Sequence, residues 1–345
     1  MQKLKYLSVW ILPITAWMSF TMTGFWAYLP LFFFFVLVPL LEFFYPKGET
    51  NLSEEEILTV KKDPFYDIAL YILVPTQWVF LGYFLGLMTQ EMGLIDRIGR
   101  ISSMGIMCGV IGINVGHELG HRASRMQQFL GELLLLSSLE THFLPYHNSG
   151  HHANAGTFED PATARLNESV YRFMVRSHIG SYLQAWKFEA LRMRILNKST
   201  FNVMNKMVQY SVVQALLLIS IYMLFGPQSL LCFLGAAVIG IILLELVNYI
   251  EHYGLMRKKR ENGTYEVFKR CHAWNANEMA SRVLLFELSR HSDHHMKPDK
   301  PYQTLDCKPE SPVMPTGYSG MMILSLLPPM FFKIMNPRVS KALDY

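Results

Sequence analysis

Charged side chains are scarce in this sequence of 345 residues. Asp, Glu, Lys and Arg make up 17% of it, whereas 51% of the residues are hydrophobic; a soluble protein usually has about 25% charged residues. Cysteine is scarce too, because Cys108, Cys232, Cys271 and Cys307 stand far apart and form no CxxC pair. This pattern argues against a disulfide framework or a thiolate metal site. The two cysteines within apolar runs are expected to be small buried hydrophobes.

The hydrophobic residues are concentrated in six runs, each close to the roughly 20 residues that cross a ~30 Å hydrocarbon core. The runs are Tyr6–Gly24, Trp26–Phe44, Ile68–Leu87, Ile98–Val115, Met207–Phe225 and Leu230–Ile250. We therefore predict an all-α integral membrane protein with six transmembrane helices. The first run is too rich in polar and aromatic residues to be a cleaved signal peptide.

Lysine and arginine are almost absent from one side of this arrangement. Of the 31 Lys and Arg residues, only Arg97 and Arg100 lie in or beside the loops that would join the spans on the outer side. The positive-inside rule therefore places both termini in the cytoplasm. The net charge of +4 suits anionic lipid headgroups or an acidic protein partner.

The predicted spans divide the chain into four segments. Residues 1–116 hold transmembrane helices 1–4, residues 117–206 a polar region, residues 207–251 helices 5 and 6, and residues 252–345 a second polar region. Four shorter elements are also predicted. They are a helix within Asn51–Lys62 capped by Ser53, a buried or re-entrant helix at Phe129–Leu139, an interfacial amphipathic helix at Val170–Leu196, and a membrane-dipping segment at Met321–Met335 broken by two prolines.

Histidine is missing from the first 116 residues, and nine of the 12 histidines then occur in four groups. The groups are HELGH (His117, His121), HNSGHH (His147, His151, His152), EHYG (His252) and HSDHH (His291, His294, His295). Residues i and i+3 or i+4 lie on one face of a helix. Each group also lies at the predicted cytoplasmic side of an apolar run. The pattern predicts a cytoplasmic, histidine-rich metal site.

Nine imidazoles exceed what one ion coordinates, because coordination numbers rarely pass about six. We therefore expect two metal ions. Zinc favours closed four-ligand sites, and bimetallic zinc hydrolases use bridging carboxylates. A nitrogen-rich site against an apolar membrane interior is better suited to iron that activates O2 beside a hydrocarbon substrate.

Four segments resemble the membrane alkane 1-monooxygenases of the AlkB type, in the membrane desaturase/hydroxylase superfamily. They are HELGHR, HNSGHHANAGTFEDPATAR, NYIEHYGL and LSRHSDHHMKPDKPYQTL, with HAWNANE at residues 272–278 as a further match. The NYIEHYG block discriminates best, since fatty acid desaturases share the other histidine boxes but not this segment.

The resemblance implies that the nine histidines bind two irons at the end of a hydrophobic tunnel. It also implies O2 as co-substrate, a terminal alcohol as product, and the inner membrane of a bacterium as location. Electrons would come from rubredoxin and its reductase, and rubredoxin must be a separate chain because no CxxC pair is present. One departure concerns PYHNSGHH, since many members have a glutamate before the first histidine.

Carboxylates beside the histidines are candidates for accepting the second N–H of a ligating imidazole. Glu118, Glu251 and Asp293 are adjacent to histidines, Asp160 lies further along, and each could equally be a solvated surface carboxylate. Glu245 and Asn248 lie inside the sixth predicted span. An intramembrane carboxylate is costly and usually functional, so Glu245 is expected to act near the metal or in a proton path.

Two alternatives remain open. The chain could hydroxylate aryl-methyl groups of the xylene type or act on fatty acyl chains, or it could be a histidine-rich metal transporter. A transporter would require titratable residues in the middle of several spans, whereas here the histidines cluster at one face. Arg122, Arg125 and Arg257–Arg260 could dock an acidic electron donor or be ordinary cytoplasmic cations. No nucleic-acid partner is expected.

Overall fold

The computed structural model describes residues 2–45 and 47–343, and within them every extended regular element is a helix. The α-helices are α1 (Ile11–Thr21), α2 (Leu29–Phe32), α3 (Val38–Phe44), α4 (Glu54–Lys62), α5 (Phe65–Tyr71), α6 (Leu73–Met88), α7 (Leu94–Met107), α8 (Gly116–Gly120), α9 (Arg125–Leu136), α10 (Phe143–Tyr146), α11 (His152–Asn154), α12 (Val170–Ile195), α13 (Lys206–His252), α14 (Met279–Leu284), α15 (His291–Met296), α16 (Tyr318–Ser325) and α17 (Pro328–Leu343). Four 3-10 helices cover Gln2–Trp10, Gly24–Tyr28, Arg270–His272 and Tyr302–Thr304. Three π-helical segments cover Phe33–Leu37, Cys108–Val115 and His147–His151. The prediction of an all-α protein is confirmed.

Among residues 2–45 and 47–343, four stretches of helix are long and apolar enough to cross a membrane. They are Gly24–Phe44, Phe65–Met88, Leu94–Gly120 and Lys206–His252. The last is 47 residues long and contains both predicted spans of this region, separated at Gly226 by a non-helical backbone with φ 80° and ψ 175°. The first predicted span is a 3-10 helix followed by α1 and is not among the four. Helices with the length and composition of membrane spans are thus confirmed, while the number six stays a prediction.

The first of two compact units comprises Met1–Phe34, Phe65–Tyr146 and Tyr182–Leu244. Its buried hydroxyls are hydrogen-bonded, since Ser19 Oγ and Ser103 Oγ both donate to the carbonyl of Ala27, at 2.7 and 3.0 Å. Helices α8 and α9 approach closely where two glycines meet. A Cβ added to Gly131 would lie 2.8 Å from the Gly116 carbonyl oxygen. Small residues allow such backbone contact in membrane proteins, and here the contact fixes the helix that carries His117.

The second unit comprises Phe35–Pro64, His147–Ser181 and Glu245–Tyr345, and it contains seven of the nine histidines. The segment HAWNANE connects its parts through hydrogen bonds of its backbone and side chains. Trp274 N donates to the Glu251 carbonyl at 2.8 Å, and its indole N–H donates to the Tyr253 carbonyl at 3.0 Å. Asn275 Oδ1 accepts from Ser292 N at 2.8 Å. The end of α13 and the start of α15 are therefore held by the same short segment.

The shorter predicted elements are found as helices. Ser53 caps α4, and Glu56 completes a capping box. Helix α9 covers Arg125–Leu136, starting four residues before the predicted apolar stretch, and α12 covers most of Val170–Leu196. The break before Pro328 is confirmed, since α16 ends at Ser325 and α17 starts at Pro328.

Candidate metal centre

In the first unit, His117 and His121 lie at the end of the span Leu94–Gly120. Their Nε2 atoms are 3.0 Å apart, and their rings meet edge to face with centroids 4.7 Å apart. The i, i+4 spacing therefore places both imidazoles on one helix face, as the sequence predicts.

In the second unit, four buried histidines from three segments converge. They are His151 of the π-helical turn, His252 at the end of α13, and His291 and His295 of α15. The Nε2 atom of His295 is 3.2 Å from that of His151 and 3.1 Å from that of His252. The Nε2 atoms of His252 and His291 are 3.0 Å apart. We call these four residues the four-histidine cluster.

The donor set of this cluster fits a metal ion. Nitrogen ligands about 2.1 Å from a common ion lie roughly 3.0–3.4 Å from each other, depending on the coordination geometry. The observed Nε2 separations of 3.0–3.2 Å fall in that range. If the four rings were held only by hydrogen bonds to one another, several Nε2 lone pairs would face each other with no proton between them. A metal ion between the rings would accept all of these lone pairs. The cluster can therefore hold one first-row metal ion.

Three of the Nδ1 atoms that face away from the cluster lie close to an oxygen atom. His151 Nδ1 lies 3.0 Å from Asp160 Oδ2, and His291 Nδ1 lies 3.2 Å from Glu251 Oε1. His252 Nδ1 lies 3.3 Å from the carbonyl oxygen of His272. A ligating histidine ordinarily donates its other N–H to such a group, which fixes the ring and selects the tautomer with a free Nε2.

These carboxylates are themselves held in place. Asp160 Oδ2 accepts a hydrogen bond from Thr163 Oγ1 at 2.7 Å, and its Oδ1 accepts one from Ala162 N at 3.2 Å. Glu251 Oε1 accepts one from Tyr318 Oη at 2.7 Å. The cluster is thus surrounded by a buried polar network rather than by isolated side chains.

Three more histidines of the second unit form a neighbouring group. His147 and His152 have Nε2 atoms 3.0 Å apart, and the His294 ring centroid is 5.0 Å from that of His152. The π-helical turn explains the pairing, because one extra residue in the turn brings positions i and i+5 onto one face. It also directs His151 toward the four-histidine cluster while its neighbour His152 joins His147.

Burial keeps two imidazoles of α15, those of His294 and His295, neutral. It lowers the pKa of His294 to about 3, with a further contribution from His151. Burial, reinforced by the neighbouring histidines, holds the pKa of His295 well below its usual range. A neutral imidazole has the lone pair that a metal needs, so these rings are ready to coordinate at physiological pH.

The other polar residues predicted to act near the metal have different partners. Glu118 Oε1 lies 2.9 Å from Arg122 Nη2. Glu245 is buried in α13, with Asn248 Nδ2 3.5 Å from its Oε2. Asp293 contacts Arg270 and Lys300 at 3.2 and 2.7 Å. These two cations, with the hydrogen bond from Asp306 N, lower the pKa of Asp293 despite its burial.

Three contributors were missed by sequence reasoning. Tyr318 and Thr163 are hydrogen-bonded to the carboxylates, and Phe268 stacks on the His295 ring with centroids 4.9 Å apart. Thr163 lies three residues after Asp160, which is a usable signal. Tyr318 is 67 residues from Glu251, and no spacing rule connects them.

Comparisons with known proteins identify a family and several relatives of this chain. The family model described as fatty acid desaturase matches residues 99–307. Alkane 1-monooxygenase 2 of Alcanivorax borkumensis is 34% identical over 98% of this chain and 91% of its own length. Alkane 1-monooxygenase 1 of Pseudomonas aeruginosa is 36% identical over 95% of this chain and 87% of its own length.

A more distant relative is the hydroxylase component XylM of the xylene/toluene monooxygenase of Pseudomonas putida. It is 26% identical over 97% of this chain and 88% of its own length. Relatives called alkane 1-monooxygenase thus share more of this sequence than the xylene enzyme does. The chain belongs to the fatty acid desaturase family, within the group of the alkane 1-monooxygenases.

Proposed function

We propose that the protein is a membrane diiron monooxygenase that hydroxylates the terminal methyl group of medium- or long-chain alkanes. The observation that carries the proposal is the buried four-histidine cluster in a chain whose alkane 1-monooxygenase relatives match it over nearly its full length. The overall reaction is RCH3 + O2 + 2 e⁻ + 2 H⁺ → RCH2OH + H2O. Bound iron supplies the redox chemistry that activates O2.

The protein's own residues hold and orient the ions. The four-histidine cluster would bind one iron through its Nε2 atoms, with Asp160, Glu251 and the His272 carbonyl fixing three of the rings. The resemblance implies that the nine histidines hold two irons in all. An all-nitrogen set leaves both irons without a strong anionic ligand from the protein. A fixed geometry in a dry, buried site limits side reactions of activated oxygen.

The membrane is the source of the proposed substrate. Alkanes partition into the hydrocarbon core, so an enzyme whose histidines follow directly on membrane helices can take substrate from the bilayer. We propose that six spans cross the inner membrane of a bacterium, with both termini and the histidine groups in the cytoplasm. Soluble rubredoxin, reduced by its reductase, would reach the metal centre from that side.

The alternatives carry less support. The lower identity to the xylene enzyme favours an alkane over an aryl-methyl substrate, although both reactions oxidise a methyl group. A metal transporter needs ligands along a path through the membrane. Here seven of the nine histidines belong to one compact unit and four of them form a closed, buried cluster, which suits a resident metal better than a passing one.

A whole-cell conversion assay tests this function. Cells expressing the protein with rubredoxin and rubredoxin reductase are given octane, para-xylene or a fatty acid in separate cultures, and products are identified by gas chromatography. We expect 1-octanol from octane as the main product. Formation of a benzylic alcohol without 1-octanol would transfer the assignment to the xylene type. An absence of product from all three substrates in cells that hold folded, iron-loaded protein would contradict the proposal.

A further inference from the structure

A surface cavity of about 760 Å³ lies in the second unit. Its wall is formed by four parts of the chain: the stretch that begins at Phe268, Met296 at the end of α15, the stretch Pro309–Val313, and the C-terminal part of α17. Four cations line it, Lys269, Arg270, Arg338 and Lys341, together with the single carboxylate of Glu310. We call it the basic pocket.

The positive charge of the basic pocket is only partly neutralised. Lys269 pairs with Glu266 at 2.7 Å, and Arg270 pairs with Asp293 at 3.2 Å. Arg338 and Lys341 are exposed and lie one turn apart on α17. Within residues 2–45 and 47–343, neither forms an ion pair with a carboxylate, so these two side chains present net positive charge to a partner.

The inner wall of the basic pocket is apolar and leads to the four-histidine cluster. Trp274, Pro312 and Val313 contribute to the apolar wall. Phe268 lines the pocket and also stacks on the His295 imidazole, with ring centroids 4.9 Å apart and an angle of 26° between the rings. The stacked rings of Phe268 and His295 therefore lie between the pocket and the Nε2 atoms of the cluster.

We propose that the basic pocket is the docking site of the acidic one-electron carrier that reduces the metal centre; this rests on the function proposed above. Electron-transfer complexes have small interfaces, and complementary charge steers their formation. The basic pocket meets both needs, because cations flank its apolar wall and the wall residue Phe268 contacts His295 of the four-histidine cluster. Each turnover takes two electrons, so two reduced carriers dock in succession and each leaves oxidised by one electron.

A lipid headgroup is the competing occupant for the same cations. It would account for Arg338 and Lys341 but would give no role to the stacked pair of Phe268 and His295. Two of the arginines that the sequence suggested for docking are engaged elsewhere. The Arg257 guanidinium donates to the backbone carbonyls of Ala153 and Glu266, and Arg122 pairs with Glu118.

Steady-state kinetics with varied rubredoxin tests this proposal. The full chain, reconstituted in nanodiscs, is assayed for octane hydroxylation with NADH, rubredoxin reductase and increasing rubredoxin. The variants are R338E/K341E and the milder R338Q/K341Q. The control is K61E/K62E, which makes the same charge change on two exposed lysines of α4. Iron content and the thermal unfolding midpoint report on folding of each variant.

We expect R338E/K341E to raise the KM for rubredoxin by about tenfold and R338Q/K341Q by about threefold, with kcat within about twofold of wild type. Higher ionic strength should raise the KM of wild type and control more than that of R338E/K341E. If R338E/K341E fails to fold, the glutamine pair decides the question. A KM equal to the control's in a folded variant would overturn the docking site.

Two further measurements separate the rival explanations. If both variants lose binding to phosphatidylglycerol vesicles while the KM for rubredoxin stays at the control value, the pocket binds lipid and the proposal is wrong. If wild type hydroxylates nothing at any rubredoxin concentration, the proposed function fails. Direct binding of rubredoxin to wild type and R338E/K341E then still tests the docking site: weaker binding by the variant supports it, and equal binding overturns it.

Discussion

Asp160 is the residue whose contacts define its role most clearly. Its carboxylate faces His151 Nδ1 and accepts bonds from Thr163 Oγ1 and Ala162 N. The negative charge raises the basicity of the imidazole and fixes its tautomer. Asp160 would therefore act on a bound metal through His151 without touching it.

Asp160→Asn should weaken iron binding by about 10- to 100-fold, because asparagine keeps the size of the side chain but removes its charge. The measurement is the iron retained after dialysis against graded concentrations of a chelator. Asp299→Asn, at an exposed position of the same unit, is the control. Equal retention by the two variants would show that Asp160 has no influence on the metal.

The sequence identified the histidines but not all of their partners. Nine imidazoles at helical spacings have few roles other than metal binding, so the residue types alone predict the metal site. The partners were harder to find, because any carboxylate beside a histidine looks alike in sequence. Glu251 does contact a histidine, at His291, whereas Asp293 is held by Arg270 and Lys300. The fold decides between these outcomes, through loops that bring distant cations to Asp293.

At the scale of elements, a π-helical turn and a pair of glycines set the geometry. The spacing of His147, His151 and His152 was read as a helical pattern, but the extra residue of a π turn leaves no mark in the sequence. Similarly, the end of an apolar run at Phe225 predicts the break at Gly226, whereas no feature of the sequence predicts the contact of Gly131 with Gly116. Close backbone contacts depend on the partner helix, which a single sequence does not identify.

Gly131→Ala should destabilise the protein, because the new Cβ would lie 2.8 Å from the Gly116 carbonyl oxygen and must push α8 and α9 apart. Overpacking of this kind costs about 1–3 kcal/mol, and the shift would also disturb His117. Gly82→Ala on α6 is the matched control, since a Cβ there meets nothing within 4 Å. Thermal unfolding in detergent should show a lower midpoint for Gly131→Ala alone. A midpoint equal to that of Gly82→Ala would mean that α8 and α9 adapt freely.

At the scale of the whole molecule, buried neutral histidines make the stability of the metal-free protein depend on pH. His294 has a folded pKa of about 3, against about 6.5 in the unfolded chain. Below about pH 6.5 the unfolded chain takes up a proton that the folded protein excludes. The contribution of the neutral His294 ring to the free energy of unfolding is therefore complete above that pH. It is lost progressively as the pH falls.

Chelator-treated protein should accordingly unfold at a lower temperature at about pH 5.5 than at about pH 7.5. His294→Gln removes one of the titrating rings and should make the dependence shallower. Differential scanning fluorimetry in detergent at both pH values provides the comparison. A variant with the full wild-type dependence would indicate that groups other than His294 cause the loss.

The membrane architecture could be predicted only in part from hydrophobic runs. Such runs identify where helices form, and the 47-residue α13 shows how two of them can join into one bent helix. Composition does not reveal that the chain packs into two units, because each unit draws segments from distant parts of the sequence. Tyr318 illustrates the consequence, since it reaches Glu251 only after the C-terminal segments have packed against the end of α13.

The central claim is that the histidines bind two catalytic irons, and metal analysis of purified protein tests it most directly. We expect about two irons per chain in wild type, together with 1-octanol formation from octane. His252→Ala removes a buried member of the four-histidine cluster and should lose at least one iron and all product. Full-length protein that makes 1-octanol while containing zinc, or no metal, would contradict the account.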